Sequence, residues 1–254
     1  MPEEQQPAPA ALKPAFLTAA NMLALRRSRA PARVPEAVVL THQTDLFRAL
    51  APRFRTRSQR GLSAELRPVP ATGGRLAAAG KLGVGGPATA ILVEELSVLG
   101  VKQIVAVDIA ASIDPARRSG AVVVAPSAHC GDGTSPHYAP GRPSVPADER
   151  LVDRLLDALS AAGLTPKRGS VWSTDAPYRE TARLIEEARG RGAALIDMET
   201  AALYAAGAAL GIATAAVLVV ADEIFDTWRP PADARLLQAR LTAAAAAVKR
   251  CLLP

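Results

Sequence analysis

Three groups of residues in this sequence have types and spacings suited to chemistry. Met198-Glu199 stands at the head of an Ala-rich helical stretch (197–210), and Asp222 follows the apolar run 214–221. A Gly-rich turn, Gly83-Val84-Gly85-Gly86, leads directly into a helical segment that runs to Gly100. A carboxyl at the mouth of an apolar strand has its charged form disfavoured by desolvation, which suits it to donate a proton. A Gly-rich turn that opens a helix gathers backbone N–H groups around one point and favours a polar or anionic ligand. Each group also has a plainer reading. Met198 fits a core, Glu199 fits an acid set against the helix dipole, and Asp222 fits a turn or an N-cap. The glycines fit close packing of a strand on a helix. Spacing by itself does not choose between these.

The elements that must position these residues alternate along the chain. Residues 1–14 are Pro-rich and polar and read as a disordered tail, and 15–254 as one domain. A helix is expected over 18–29 with Thr18 as N-cap. A short buried strand is expected over 36–41, the start of a helix over 45–50, an Arg-rich connection over 52–60 and a strand over 62–69. After the Gly-rich turn and its helix come buried strands at 102–109 and 121–126, the loop 131–138, a helix over 148–163 and a strand at 170–173. The helix from 197 ends at Gly211, the strand 214–221 ends at Asp222-Glu223, and a helix over 232–252 closes the chain. Strands alternating with helices predict an α/β sheet covered on both faces.

Composition narrows the classes. Aromatics make up 4% of 254 residues, so Val, Leu, Ile and Ala must build the core. The chain is long enough to bury one large domain. It has no apolar run of about 18 residues, the length that marks a membrane span. Its N-terminus lacks the basic and apolar regions of a secretory signal. Cys130 and Cys251 form neither a disulfide framework nor a metal pattern, and a cytoplasmic protein is the expectation. Residues 1–80 carry 12 Lys/Arg against 5 Asp/Glu, and the remainder 18 against 19. This basic third lacks interleaved aromatics and any nucleic-acid motif, so solvated arginines or anion contacts at a subunit interface are favoured over nucleic-acid binding.

Four segments, in order, resemble the nucleoside phosphorylase superfamily: GVGGPATAILVEELSVLGVKQI (83–104), GDGTSPHYAP (131–140), WSTDAPYRET (172–181) and IDMETAALYAAGAALGIATAAVLVVADE (196–223). They cover most of 80–225. The resemblance implies a three-layer α/β/α sandwich with a mixed central sheet, a homo-oligomer (dimer or hexamer), a nucleoside-like small-molecule partner and no metal or organic cofactor. It also implies cleavage of an N-glycosidic bond. That reaction develops positive charge on the sugar and negative charge on the base. In it Glu199 would accept hydrogen bonds from two vicinal sugar hydroxyls, and Met198 would lie against the sugar with its polarizable sulfur. Asp222 would serve the base. Ser173, Thr174, Asp175, Tyr178 and Arg179 fall in the matching base-side loop, where Tyr178 would stack. His137 and Tyr138 are candidates for the same cavity or a neighbouring subunit's, and His42 and His129 have no assigned role.

The sequence departs from the family's phosphate site. Where phosphorylases carry an Arg and a glycine-rich hydroxyl turn, this chain has Ala106-Val107-Asp108-Ile109-Ala110-Ala111-Ser112. Ala106 replaces the Arg, Ile109 replaces the hydroxyl, and Asp108 and Ala111 replace glycines. The N-terminal phosphate loop is replaced by residues 40–45. A carboxylate near an anion site repels by on the order of 1 kcal/mol or more when partly desolvated. Water is therefore the expected nucleophile, with Asp108 as candidate base if it points into the cavity. The alternatives are a true phosphorylase with a site rebuilt from Arg48, Arg53, Arg55, Arg57 or Arg60, and a repurposed enzyme or nucleoside-binding pseudoenzyme. Gly83, Gly85, Gly86, Ala106 and Ile109 mark the former phosphate region.

Overall fold

The protein, seen in a computed structural model, is described here for residues 15–26, 34–52, 58–59 and 61–253. The expected tail 1–14, most of the Arg-rich connection and the end of the first expected helix lie outside these residues. In chain order the elements are α1 (Ala19–Leu25), β1 (Ala37–Leu40), α2 (Thr44–Leu50), β2 (Glu65–Pro68), β3 (Leu76–Gly80) and α3 (Gly86–Leu99). Next come β4 (Gln103–Ser112), β5 (Val122–Ala125), β6 (Ser127–Gly131), α4 (Ser135–Tyr138), β7 (Ser144–Pro146) and α5 (Glu149–Ala161). The rest are β8 (Lys167–Arg168), β9 (Ser170–Thr174), α6 (Ala182–Gly190), β10 (Ala193–Asp197), α7 (Thr200–Leu210), β11 (Ala213–Ile224), β12 (Trp228–Arg229) and α8 (Ala234–Leu252).

Local chemistry sets the helix ends. Thr18 and Asn21 form a reciprocal capping box at α1. Asp148 accepts from the Leu151 amide at the start of α5, and Asp233 accepts from the Arg235 and Leu236 amides at α8. Gly100 and Gly211 end α3 and α7 in the left-handed conformation that glycine adopts without strain. The start of α7 corrects the sequence reading. Asp197 accepts from the Thr200 amide at 3.0 Å, so the helix begins at Thr200. Met198 and Glu199 are left in irregular backbone just ahead of it.

The sheet is mixed and lies between helices, as the resemblance implied. The pairs α3–α7 and α5–α8 pack together, and β11 is touched by both α7 and α8. β4 is the axis. Along one edge it pairs in parallel with β11 for most of its length. Along the other it pairs in parallel with β1 only as far as Leu40↔Ala106. Beyond that, β10 approaches antiparallel and pairs at Ile196↔Ala111 and Leu195↔Ser112. β1 and β10 thus end facing each other, and the β4 segment 107–110 bridges the gap between them. A crevice at the carboxyl ends of strands where connectivity reverses is the usual ligand site of open α/β sheets.

The core is aliphatic, as composition required. Tyr204 and Phe47 are aromatic exceptions, both fully buried, and Tyr204 in α7 donates its hydroxyl to the Ala125 carbonyl at 2.7 Å. Several elements differ from the sequence reading. β11 runs through Asp222 and Glu223 to Ile224, because β12 folds back and pairs with Glu223 and Ile224. The segment read as a loop from 131 holds the end of β6 and the short α4. β3, α6 and β10 were not foreseen. β3 reads LAAAG, low in strand propensity, and is a strand because it sits between β1 and β2.

Candidate active site

The gap on β4 opens into a cleft of about 780 Å³. Asp108 to Ala111 form its floor, His42 and Gln43 one side, and Asp197, Met198 and Glu199 the other. Tyr178, Glu180, Asp222 and Trp228 stand around its mouth. The structure thus brings together Asp108, Ile109, Tyr178, Met198, Glu199 and Asp222 from the sequence-derived set.

Glu199 is held from two directions. Its Oε1 accepts from the Gly85 amide at 2.8 Å and its Oε2 from the Met198 amide at 3.2 Å. Burial pushes its pKa up to about 7, the Asp197 charge adds to the rise, and His42 and the Gly85 amide oppose it. Asp197 lies beside it, partly buried. It accepts from Ser173 Oγ at 2.6 Å and from both the amide and hydroxyl of Thr200. Burial raises its pKa against these hydrogen bonds.

Asp108 is engaged at both oxygens. Oδ2 accepts from the His42 amide at 2.7 Å and faces His42 Nδ1 at 2.8 Å. Oδ1 accepts from Gln43 Nε2 at 2.8 Å and from the Ile109 amide at 3.0 Å. A carboxylate with four such partners is a poor free base, so the arrangement presents His42 to the cleft instead. Burial works to lower the His42 pKa, but the hydrogen bond and charge of Asp108, with Glu199 and Asp197 beyond, raise it above the ordinary value.

At the mouth, Asp222 Oδ2 accepts from Trp228 Nε1 at 2.7 Å. Glu180 stands nearby, its pKa pushed up to about 7 by burial and then by the Asp222 charge. Tyr178 is 99% exposed at the rim.

Other residues singled out in the sequence sit elsewhere. Ser173 is buried in β9, donates to Asp197 and accepts from the Ala201 amide, so it braces the head of α7 rather than facing the cleft. Thr174 Oγ1 accepts from the Ala176 amide, and Asp175 accepts from the Gly133 amide at 2.7 Å. Neither they nor Arg179, Gly83, Gly86 and His137 line the cleft. The Tyr138 hydroxyl donates to Glu94. Ala106 borders a small chamber beneath the cleft. Arg48 is exposed and pairs with Asp45, while Arg53, Arg55, Arg57 and Arg60 lie outside the described residues.

The sequence reading missed His42, Gln43, Glu180 and Trp228. For His42 there was a signal: Asp108 interrupts an apolar strand, and a buried carboxylate needs a partner. That partner is 66 residues away, beyond the reach of local spacing.

Electrostatically the cleft is acidic. Asp108, Glu180, Asp197, Glu199 and Asp222 line it, and among the described residues no Lys or Arg does. Nor do the described residues gather three His, Cys, Asp or Glu side chains able to hold a metal ion. No helix among them is long and apolar enough to cross a membrane.

Comparison with known proteins bears on the family and the fold. A model of the Phosphorylase superfamily matches residues 36–253. A DeoD-type purine nucleoside phosphorylase from Bacillus cytotoxicus is 30% identical over 155 residues, which cover 60% of this chain and 66% of that protein. An uncharacterised protein of Acanthamoeba polyphaga mimivirus is 32% identical over 138 residues, covering 54% of this chain and 53% of the other. The matched segment thus spans between about half and two thirds of the length of these curated relatives. In fold, the chain is similar to a crystal structure of uridine phosphorylase from Vibrio fischeri, with a TM-score of 0.71, 20% identity and coverage of 89% of this chain and 96% of that one. It is also similar to AMP nucleosidase from Bacteroides thetaiotaomicron, with a TM-score of 0.67, 18% identity and coverage of 85% and 88%.

Proposed function

The chain belongs to the Phosphorylase superfamily, and from that premise we propose that it cleaves the N-glycosidic bond of a nucleoside-like substrate. The observation that carries this reading is the cleft itself, where Met198, Glu199 and Asp222 meet from separate elements at the carboxyl ends of β10 and β11. Glu199 accepts hydrogen bonds from the vicinal sugar hydroxyls. Met198 lies against the sugar, where its polarizable sulfur suits the positive charge of the transition state. Asp222, held by Trp228, hydrogen-bonds the departing base.

The curated relatives named as purine nucleoside phosphorylases support phosphorolysis over the hydrolysis expected from the altered turn. Phosphate would then need a cation from beyond the described cleft. Hydrolysis is the second reading, favoured by one observation: the described cleft carries acids and no Lys or Arg. Assembly as a dimer or hexamer and a cytoplasmic location belong to the same proposal.

The test is base release from a panel of purine and pyrimidine nucleosides, with and without phosphate, by the wild type and Glu199→Ala. Phosphate-dependent release that Glu199→Ala abolishes supports phosphorolysis, and release without phosphate supports hydrolysis. No release from any nucleoside in either buffer would sink the glycosidase reading.

A further inference from the structure

Beneath the cleft lies a second chamber of about 10 Å³, bordered by His42, Thr89, Ala106, Asp108, Asp197 and Glu199. Two of these residues carry a buried polar atom, His42 Nε2 and Thr89 Oγ1, with no hydrogen-bond partner among the protein groups. Thr89 is completely buried in the first turns of α3. Leaving a polar atom buried and unpaired costs about 1–3 kcal/mol, so two beside one chamber call for a shared partner. A volume on the order of 10–15 Å³ holds one water, provided that two to four polar groups bind it. The chamber stands at the lower end of that range with two such groups on its bordering residues, and the carboxylate assigned to the sugar belongs to another of them.

We propose that one buried water bridges His42 Nε2 and Thr89 Oγ1 beneath Glu199, and that His42, anchored by Asp108, is a positioning residue that keeps Glu199 charged for the sugar hydroxyls. The inference rests on the reading of Glu199 as the sugar clamp and holds for either nucleophile. The charged groups bordering the chamber are His42 from the β1–α2 connection, Asp108 from β4, Asp197 at the end of β10 and Glu199 between β10 and α7. α3 contributes Thr89, α7 contributes Thr200 and Leu203, and β11 contributes Leu218, none of them charged. Three carboxyl groups therefore crowd one imidazole. Asp108 fixes the ring through Nδ1, which leaves the buried Nε2 for the chamber that Thr89 and Glu199 also border. A protonated His42 offsets the repulsion that Asp197 imposes on Glu199. A neutral His42 leaves Glu199 to take up a proton, and a protonated clamp loses one of its acceptor oxygens to the proton.

Two measurements test this. In ¹⁵N-histidine NMR, the His42 titration midpoint should fall in Asp108→Asn and also in Glu199→Gln. A midpoint unmoved by Glu199→Gln would refute the coupling, whatever the substrate. In binding experiments, His42→Asn should weaken a ribonucleoside about tenfold on the acid side of the profile, equivalent to shifting its acid limb upward by about one pH unit. A 2′,3′-dideoxynucleoside should show no such shift, because it offers Glu199 no vicinal hydroxyls. An equal loss for both nucleosides at all pH values would reduce His42 to a structural role and overturn the proposal. A high-resolution crystal structure should place a water within hydrogen-bond reach of both atoms, and a chamber without that density overturns the bridge. Failure of the wild type to bind any nucleoside would count against the glycosidase reading, while the NMR arm still decides the coupling.

Discussion

The Gly85 amide donates to Glu199 Oε1 at 2.8 Å, so the turn that opens α3 and the carboxylate that heads α7 form one unit across 114 residues of chain. Gly85 has φ of 89°, a left-handed conformation that a residue with a Cβ adopts only under strain. A Cβ there would also lie 4.0 Å from Met198 Cε, in ordinary contact. Strain rather than clash therefore decides the outcome. Gly85→Ala should cost about 1–2 kcal/mol and lower the melting temperature by roughly 3–6 °C. It should also raise KM for the nucleoside, because the amide that holds Glu199 shifts. Unchanged melting together with unchanged KM would show that the turn does not hold the clamp.

Glu199 should make the fold less stable at neutral pH than it needs to be. Its folded-state pKa is about 7 against an ordinary 4.5. Between those values the folded chain holds more protons than the unfolded one, so stability falls as pH rises through this window. Glu199→Gln removes the titration. The variant should be more stable than the wild type at pH 8 by roughly 2 kcal/mol, with the difference fading as pH drops to about 4.5. Activity should be lost together with that gain, a common relation at functional sites. Urea denaturation at the two pH values reads it, and a stability difference independent of pH would contradict the burial argument.

The fold was legible where local chemistry acts alone, and less so where distant partners decide. Thr18, Asp148, Gly100 and Gly211 mark helix ends in the sequence and serve as caps in the structure. The helix after Glu199 begins at Thr200 because the Asp197 side chain takes the Thr200 amide. β3, with three alanines, is made a strand by neighbours on both sides. The site divides in the same way. Met198, Glu199 and Asp222, singled out from their segments in the sequence, all line the cleft. The His42–Asp108 pair was not legible there, because it exists only once β1 and β4 lie side by side. Ser173 was placed with the base by the resemblance of its segment, although it ends the expected strand 170–173, and its hydroxyl turns inward to Asp197.

Gly131 controls how closely β6 approaches β9. A Cβ at this position would lie 2.0 Å from Trp172 Nε1 and 2.6 Å from the Ser173 carbonyl oxygen. The second contact is with backbone, which no rotamer change relieves. Gly131→Ala should therefore destabilise the protein by about 3 kcal/mol or more, at the upper end of overpacking effects. β9 carries Ser173, the brace of Asp197, so activity should fall together with stability. A chemical denaturation midpoint within error of the wild type would mean that the two strands separate more easily than their register implies.

Asp222 and Trp228 offer a test of base-side chemistry that leaves the fold intact. Trp228 is 62% exposed, so Trp228→Phe should change stability by less than about 0.5 kcal/mol. It removes the Nε1–H that holds Asp222 Oδ2 at 2.7 Å, and the carboxyl is then free to rotate away from the base. A group that must meet a developing charge loses rate when it is not held in place. If the proposed role of Asp222 holds, kcat should drop by about tenfold in Trp228→Phe and by about 100-fold or more in Asp222→Asn, which lacks the carboxyl. The two losses should not multiply in the double variant, because the tryptophan acts only through the aspartate. Multiplying losses would show that Trp228 touches the base itself. A silent Asp222→Asn would take the base-side role away from Asp222 and leave Glu180, the other acid at that mouth, as the group to examine.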